Sequence, residues 1–244
     1  MEKSKYILID SKYKTTGDPS NLRIYFNEQI TIKNYIKINY LSMPRMNYLI
    51  NSNNNLIIIS FIANVGVQAY NIILNMQNYT PLSLTAYINS MLSNINNFNC
   101  IYNTNTFKIE FTANCPFNID FSKSNFYKLV SLNNIIYNSS IKNNNNFFST
   151  GIINFNQPYY LNININNIPN NVMIGNDQYN QFNFIIPVVD TNFGDILNYN
   201  NINYDIKMFV ENFKCNYFDI IVNDDYNNKF NNNGIDWFMA LEYY

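Results

Sequence analysis

The 244-residue chain contains no histidine. That absence removes Ser–His and Cys–His nucleophile pairs, His-ligated zinc and imidazole acid–base chemistry. Cysteine is scarce: Cys100, Cys115 and Cys215 make an odd number without C-x-x-C spacing. Neither a disulfide framework nor a zinc site follows from that pattern, and buried reduced thiols in a protein made in a reducing, intracellular space are expected. Charge is thin as well. Charged residues make up 13% of the chain, the net charge is −1, and arginine stands only at Arg23 and Arg45. Self-repulsion is therefore small and association is easy, while a main role in binding nucleic acid is disfavoured. No apolar run approaches a membrane span, and the stretch Leu56–Ile62 is only strand-sized. The start Met1-Glu-Lys-Ser-Lys-Tyr lacks the apolar core of a signal peptide. Neither G-x-x-x-x-G-K-[ST] nor G-x-G-x-x-G occurs, so the common phosphate-cradling loops are missing.

What fills the gap is asparagine, roughly a fifth of the chain against an ordinary few per cent, together with 21 Tyr and 19 Phe. The Asn alternates with β-branched and aromatic residues, which argues for folded strands and against a prion-like tract. Leu22, Ile24 and Phe26 alternate with Arg23, Tyr25 and Asn27; Ile36, Ile38 and Tyr40 with Lys37, Asn39 and Leu41. Phe107, Ile109 and Phe111 stand against Lys108 and Glu110. Tyr159, Leu161, Ile163 and Ile165 oppose Tyr160, Asn162, Asn164 and Asn166, and Trp237, Met239, Leu241 and Tyr243 share a face. A period of two is what a sheet with one face on a core requires. With further candidates at Lys5–Ile9, Leu56–Ile62, Tyr70–Met76, Phe117–Phe121, Phe182–Val188, Tyr204–Val210 and Tyr217–Val222, the pattern predicts an all-β sandwich or barrel.

One helix interrupts it. Thr80-Pro81 offers an N-cap followed by proline at the first helical position, and Leu84, Ile88, Met91, Leu92 and Ile95 recur at helical spacing, predicting a helix over 81–94. A shorter helix is expected after Ser124. The Asn-rich stretch 133–150 reads as a long loop inside a single domain spanning 1–244. Tyr217–Val222 and Ile235–Tyr243 read as the arms of a closing hairpin.

Carboxylates are the remaining candidates for chemistry: Asp190 and Asp195 flank Gly194, and Asp219, Asp224 and Asp225 cluster near a second turn. A glycosidase would need two of them across a cleft, and Asp224 and Asp225 with neighbouring Asn could hold a hard cation such as Ca²⁺, though without EF-hand spacing. Turn capping is the commoner use of Asp. No catalytic residue, metal ligand or cofactor is therefore expected.

The spaced blocks carry a resemblance. Ile9-Asp10-Ser11-Lys12-Tyr13-Lys14-Thr15 precedes the Leu22–Phe26 strand and then Ile36-Lys37-Ile38-Asn39-Tyr40-Leu41-Ser42-Met43-Pro44. Asn78-Tyr79-Thr80 leads into the helix, and Ile220-Ile221-Val222-Asn223-Asp224 is followed by Gly234-Ile235-Asp236-Trp237. This series resembles the vertex (penton) and related minor capsid proteins of virophages and their giant-virus and transposon relatives. Lys12 and Lys14 stand where that family has arginine, and Gln77-Asn78 where it has a glycine. The resemblance implies a single jelly-roll sandwich with the 81–94 helix as an embellishment. It also implies a homopentamer at the five-fold vertices of a virion, in contact with a double-jelly-roll major capsid protein and assembled inside the infected host cell. A carbohydrate- or receptor-binding β-sandwich is the alternative, to be recognised by an exposed aromatic platform beside Asn or Asp.

Overall fold

The computed structural model describes residues 4–63, 66–92, 94–143, 145–155, 158–165, 168, 171–175, 178–189, 191–201 and 206–244. Where one domain over 1–244 is expected, the chain forms two compact units: unit 1 comprises residues 1–47 and 158–244, and unit 2 comprises 48–157. Unit 1 opens with β1 (Lys5–Asp10), β2 (Thr16–Asp18), β3 (Asn21–Ile32) and β4 (Tyr35–Pro44). Unit 2 holds β5 (Leu56–Ala63), β6 (Gly66–Ile73), α1 (Pro81–Leu92), β7 (Asn99–Asn103), β8 (Lys108–Ala113) and β9 (Phe117–Asp120). It continues through α2 (Phe126–Leu129), β10 (Ile136–Asn138), β11 (Ser140–Lys142) and β12 (Asn145–Ile152). Unit 1 resumes with β13 (Tyr160–Ile165), β14 (Asn171–Gly175), β15 (Gln178–Phe182) and β16 (Phe184–Pro187). It ends with β17 (Ile196–Asn200), β18 (Met208–Phe209), β19 (Phe213–Asn223) and β20 (Phe238–Tyr243).

In unit 1 one sheet runs β1-β20-β4-β17, with β18 also on β4, and the other runs β16-β13-β19-β3-β2. The eight principal strands pair in a nested order, all antiparallel: β1 with β20, β3 with β19, β4 with β17, and β13 with β16. A ribbon folded over itself in this way is a jelly roll, and it brings two inner faces together. Ile7, Ile9, Ile36, Ile38, Leu41, Met43, Met239 and Leu241 of the first sheet share one core with Leu22, Leu161, Ile163, Ile165, Phe218, Ile220 and Val222 of the second.

Unit 2 is a second sandwich with its own core, of two four-stranded antiparallel sheets, β10-β9-β5-β6 and β11-β12-β8-β7. Phe61, Phe98, Phe111, Phe117, Phe121 and Phe148 meet ring to ring within it. Helix α1 lies where the periodicity puts it. Thr80 Oγ1 accepts from the Ser83 N–H at 3.1 Å and Ser83 Oγ from the Thr80 N–H at 2.9 Å, a reciprocal cap. Leu84, Ile88 and Leu92 are buried, while Met91 stays exposed.

Three further expectations fail for identifiable reasons. The stretch 133–150 is not a long loop: it carries β10, β11 and most of β12, with Phe148 and Thr150 two residues apart and buried on one face of β12. The closing hairpin is not formed either. Both edges of β19 are occupied, by β3 and β13, so β20 crosses to the other sheet and pairs with β1 and β4. Finally, the inward face of β4 changes phase. Ile38 pairs with Leu241 but Tyr40 pairs with Ala240, so one extra residue is inserted at Asn39. That bulge turns Tyr40 outward and Leu41 into the core, the reverse of a strict alternation.

The abundant asparagine ties down backbone. Among the described residues, six of the eight non-glycine residues at positive φ are Asn (96, 97, 143, 212, 227 and 233), the short side chain tolerating that region best. Others act as two-armed staples. Asn89 of α1 donates to the Cys100 carbonyl and accepts from the Cys100 N–H, both at 2.7 Å, so the helix satisfies edge strand β7. Asn54 bridges Leu49 and Asn51, and Asn201 grips both backbone groups of Ile206.

Candidate assembly surface

Alternation along β1 buries Ile7 and Ile9 and leaves Tyr6 and Leu8 at 58% and 68% exposure. The register carries that outward face across the sheet. Leu8 lies opposite Ala240, Asp10 opposite Phe238, Ala240 opposite Tyr40, and Phe238 opposite Ser42. On the far side β17 and β18 add Ile196 and Phe209, the latter paired with Tyr35 and 69% exposed. The result is a face of aromatic and aliphatic side chains interspersed with Asp10, Ser42 and Asn198, with the Tyr40 and Phe238 rings 6.3 Å apart and Tyr40 donating to Asn198 at 3.0 Å. β1 is also an edge strand, paired on one side only among the described residues.

One end of this face holds a polar cluster. Lys37 Nζ stands 3.4 Å from Glu242 Oε2, and both side chains are only 12% exposed. Tyr35 donates to Glu242 Oε1 at 2.9 Å and Tyr6 to Oε2 at 3.3 Å, which supplies the hydrogen bonds a half-buried ion pair needs. Burial alone would push the Glu242 carboxyl up; the Tyr35 hydroxyl, Lys37 and Ser4 outweigh it and hold the group below the usual range. The Tyr35 ring stacks on Tyr244, and Lys207 lies 5.0 Å from its centroid.

The outer face of the other sheet is different in kind. Arg23 donates through Nε and Nη2 to both oxygens of Asp219, at 2.5 and 2.6 Å, and its guanidinium sits 4.4 Å from the Tyr217 centroid. The Asp219 hydrogen bonds hold the Arg23 guanidinium above its ordinary range. Tyr25 flanks Tyr217 at 5.4 Å. A strand position that alternates polar and aromatic in sequence becomes a solvated, charge-paired face here.

Of the carboxylates singled out in the sequence, Asp195 and Asp224 serve turns and Asp219 serves that ion pair. Asp195 accepts from the Asn192 N–H at 2.6 Å. Asp224 accepts from the N–H groups of Tyr226 and Asn228 and from the Asn228 amide. Asp225 accepts from the Tyr159 N–H at 3.0 Å. Asp224 and Asp225 are neighbours, and after burial their charges help push the Tyr160 hydroxyl up. Asp190 lies outside the described residues. Among the described residues no group of three or more Cys, Asp or Glu is placed to hold a metal ion. All three cysteines are free thiols; burial pushes Cys100 up strongly and Cys215 up to about 11. No helix among the described residues is long and apolar enough to cross a membrane.

Sequence reasoning missed the outward face of β1. Tyr6-Ile7-Leu8-Ile9 is apolar throughout, so nothing in it says which side meets solvent. The Lys37–Glu242 pair, 205 positions apart in the chain, left no local signal at all.

No family model matches the sequence, and no curated protein is significantly similar to it. Among solved structures, the chain is similar to the crystal structure of the selenomethionine-labelled mavirus penton protein. The TM-score is 0.51 and the identity 12%, with 98% of each chain covered. At that identity the likeness concerns the fold, and it agrees with the mostly β, antiparallel jelly-roll architecture read from the strand pairing.

Proposed function

We propose that this chain is a structural virion protein, the penton subunit of an icosahedral capsid. In this reading it assembles as a homopentamer at the five-fold vertices and meets a double-jelly-roll major capsid protein at its rim, inside the infected host cell. The observation that carries the reading is a nested eight-strand jelly roll that shares its fold with a penton protein over 98% of both chains. The fold alone hosts many functions, so the surfaces matter too. A ring closes through heterologous contacts, which join two different patches on neighbouring subunits. Unit 1 presents two such patches, the aromatic face around Leu8 and Phe209 and the charge-paired face around Arg23. The role requires no reacting group.

The carbohydrate-binding alternative asks for an open aromatic ring beside polar acceptors. On the face around Arg23 that ring is covered: Arg23 lies over Tyr217 and bonds both oxygens of the adjacent Asp219. Mass in solution by light scattering, with negative-stain images, tests the proposal. Five-membered rings that join major capsid protein into particles are the expected result. A persistent monomer that never enters particles would overturn it.

A further inference from the structure

Asn233-Gly234 is the one Asn-Gly pair in the chain. The two residues occupy the centre of a tight turn closed by the Ile235 N–H donating to the Asn232 carbonyl at 3.1 Å, with φ of 52° and 75°. Those paired positive angles define a type I′ turn. Both residues are exposed, and no neighbouring atom lies within 4 Å of the space a Cβ on Gly234 would fill. The Gly234 N–H donates to no acceptor among the described residues.

The turn has a grip on another part of unit 1. The Met46 N–H donates to Asn232 Oδ1 at 2.8 Å, and the Asn233 amide donates to the Met46 carbonyl. Asn232 is itself held by donating to the Ile235 carbonyl at 3.3 Å. Two adjacent Asn side chains thus clamp both backbone groups of Met46, just beyond the end of β4.

We propose that Asn233 is a site of spontaneous deamidation and that its conversion releases this clamp. Base removes the Gly234 amide proton, and the nitrogen attacks Asn233 Cγ. The new bond from Gly234 nitrogen to Cγ closes a five-membered succinimide; Nδ2 takes a proton back from the protonated base or from water, the Cγ–Nδ2 bond breaks, and ammonia leaves. Water then adds to either ring carbonyl and opens the ring, giving aspartate or, with the chain rerouted through the side-chain carbonyl, isoaspartate. Ammonia is lost, water is gained, and no oxidant or reductant is involved. Glycine is what makes the attack accessible, since no side chain shields its nitrogen. The product carboxylate has no proton to donate to Met46, so two acceptors face each other where a hydrogen bond stood. Isoaspartate also lengthens the backbone of a turn that closes over two residues.

Other Asn–Ser pairs provide internal controls. In them a serine side chain flanks the attacking nitrogen, and the Asn89 amide is in addition locked at both atoms on Cys100. The full chain would be incubated folded, in neutral and mildly alkaline buffers, and mapped by peptide mass spectrometry, alongside a urea-unfolded sample. The expected result is selective replacement of NH₂ by OH at Asn233, with isoaspartate at that position and a rate that rises with hydroxide. Folded Asn233 that stays intact while the unfolded sample reacts, or Asn–Ser pairs that react as fast, would overturn the site. The clamp is tested separately by Asn233→Asp, which should lower Tm by about 2–4 °C, the loss of one hydrogen bond with its acceptor left facing a carboxylate. An unchanged Tm would overturn that part.

Discussion

Replacing Leu8 by lysine isolates the aromatic face from the fold that carries it. Leu8 is 68% exposed and points away from the core, so Leu8→Lys should change the stability of the monomer by no more than about 0.5 kcal/mol. Lysine on an edge strand is moreover the device by which natural sheets discourage association. The contact between subunits responds differently. Burying a whole leucine is worth about 1.5–3 kcal/mol, and roughly two thirds of this one remains to be covered, so each interface forgoes about 1–2 kcal/mol. Lysine either loses hydration or bends its ammonium to the rim, and a further ~1–2 kcal/mol follows. The sum, ~3 kcal/mol, is about a hundredfold in the association constant of every contact in the ring. Sedimentation velocity across a concentration series reads this, with thermal melts by circular dichroism as the control. If Leu8→Lys assembles at the wild-type concentration with a wild-type Tm, the face around β1 is not the subunit contact. The reasoning from exposure to interface is then wrong.

Asn89→Ala removes both hydrogen bonds to Cys100 and leaves two buried backbone groups unsatisfied, for a loss of about 2–5 kcal/mol in urea unfolding. A change below about 0.5 kcal/mol, within the range of ordinary surface substitutions, would show that water replaces the staple. The Glu242 carboxyl is held below its ordinary value of 4.5, so its contribution is present above that pH and is lost as pH falls through the depressed folded value. Glu242→Gln should therefore lower Tm most near neutrality, where it strands Lys37, and approach wild type in strong acid. A Tm difference that does not change with pH would sink this account.

Much of the fold was legible because it rests on local rules. A period of two marks a half-buried strand wherever it occurs, and Thr80-Pro81 with the Leu84, Ile88, Leu92 spacing marks α1. The reading failed where a local rule met a long-range choice. At Asn39 a single inserted residue reverses which of Tyr40 and Leu41 faces the core, and no composition signals it. In 133–150 the abundance of Asn suggested a loop, yet Asn138 and Asn145 sit exposed on strands β10 and β12. The candidate surface was less legible still. Leu8 and Ile7 are equivalent in sequence, and only the pairing of β1 with β20 separates an exposed residue from a core one.

The sequence by itself determined that this is a β protein without histidine chemistry, because composition and side-chain alternation are properties of the chain before it folds. It also determined where α1 begins, since caps act within one turn. Only the tertiary structure decided that β20 leaves β19 and returns to β1. It likewise decided that residues 48–157 close around a core of their own, and that Lys37 meets Glu242. Those outcomes depend on which strand edges and apolar faces remain available once others are paired, and that competition is settled by the whole chain at once.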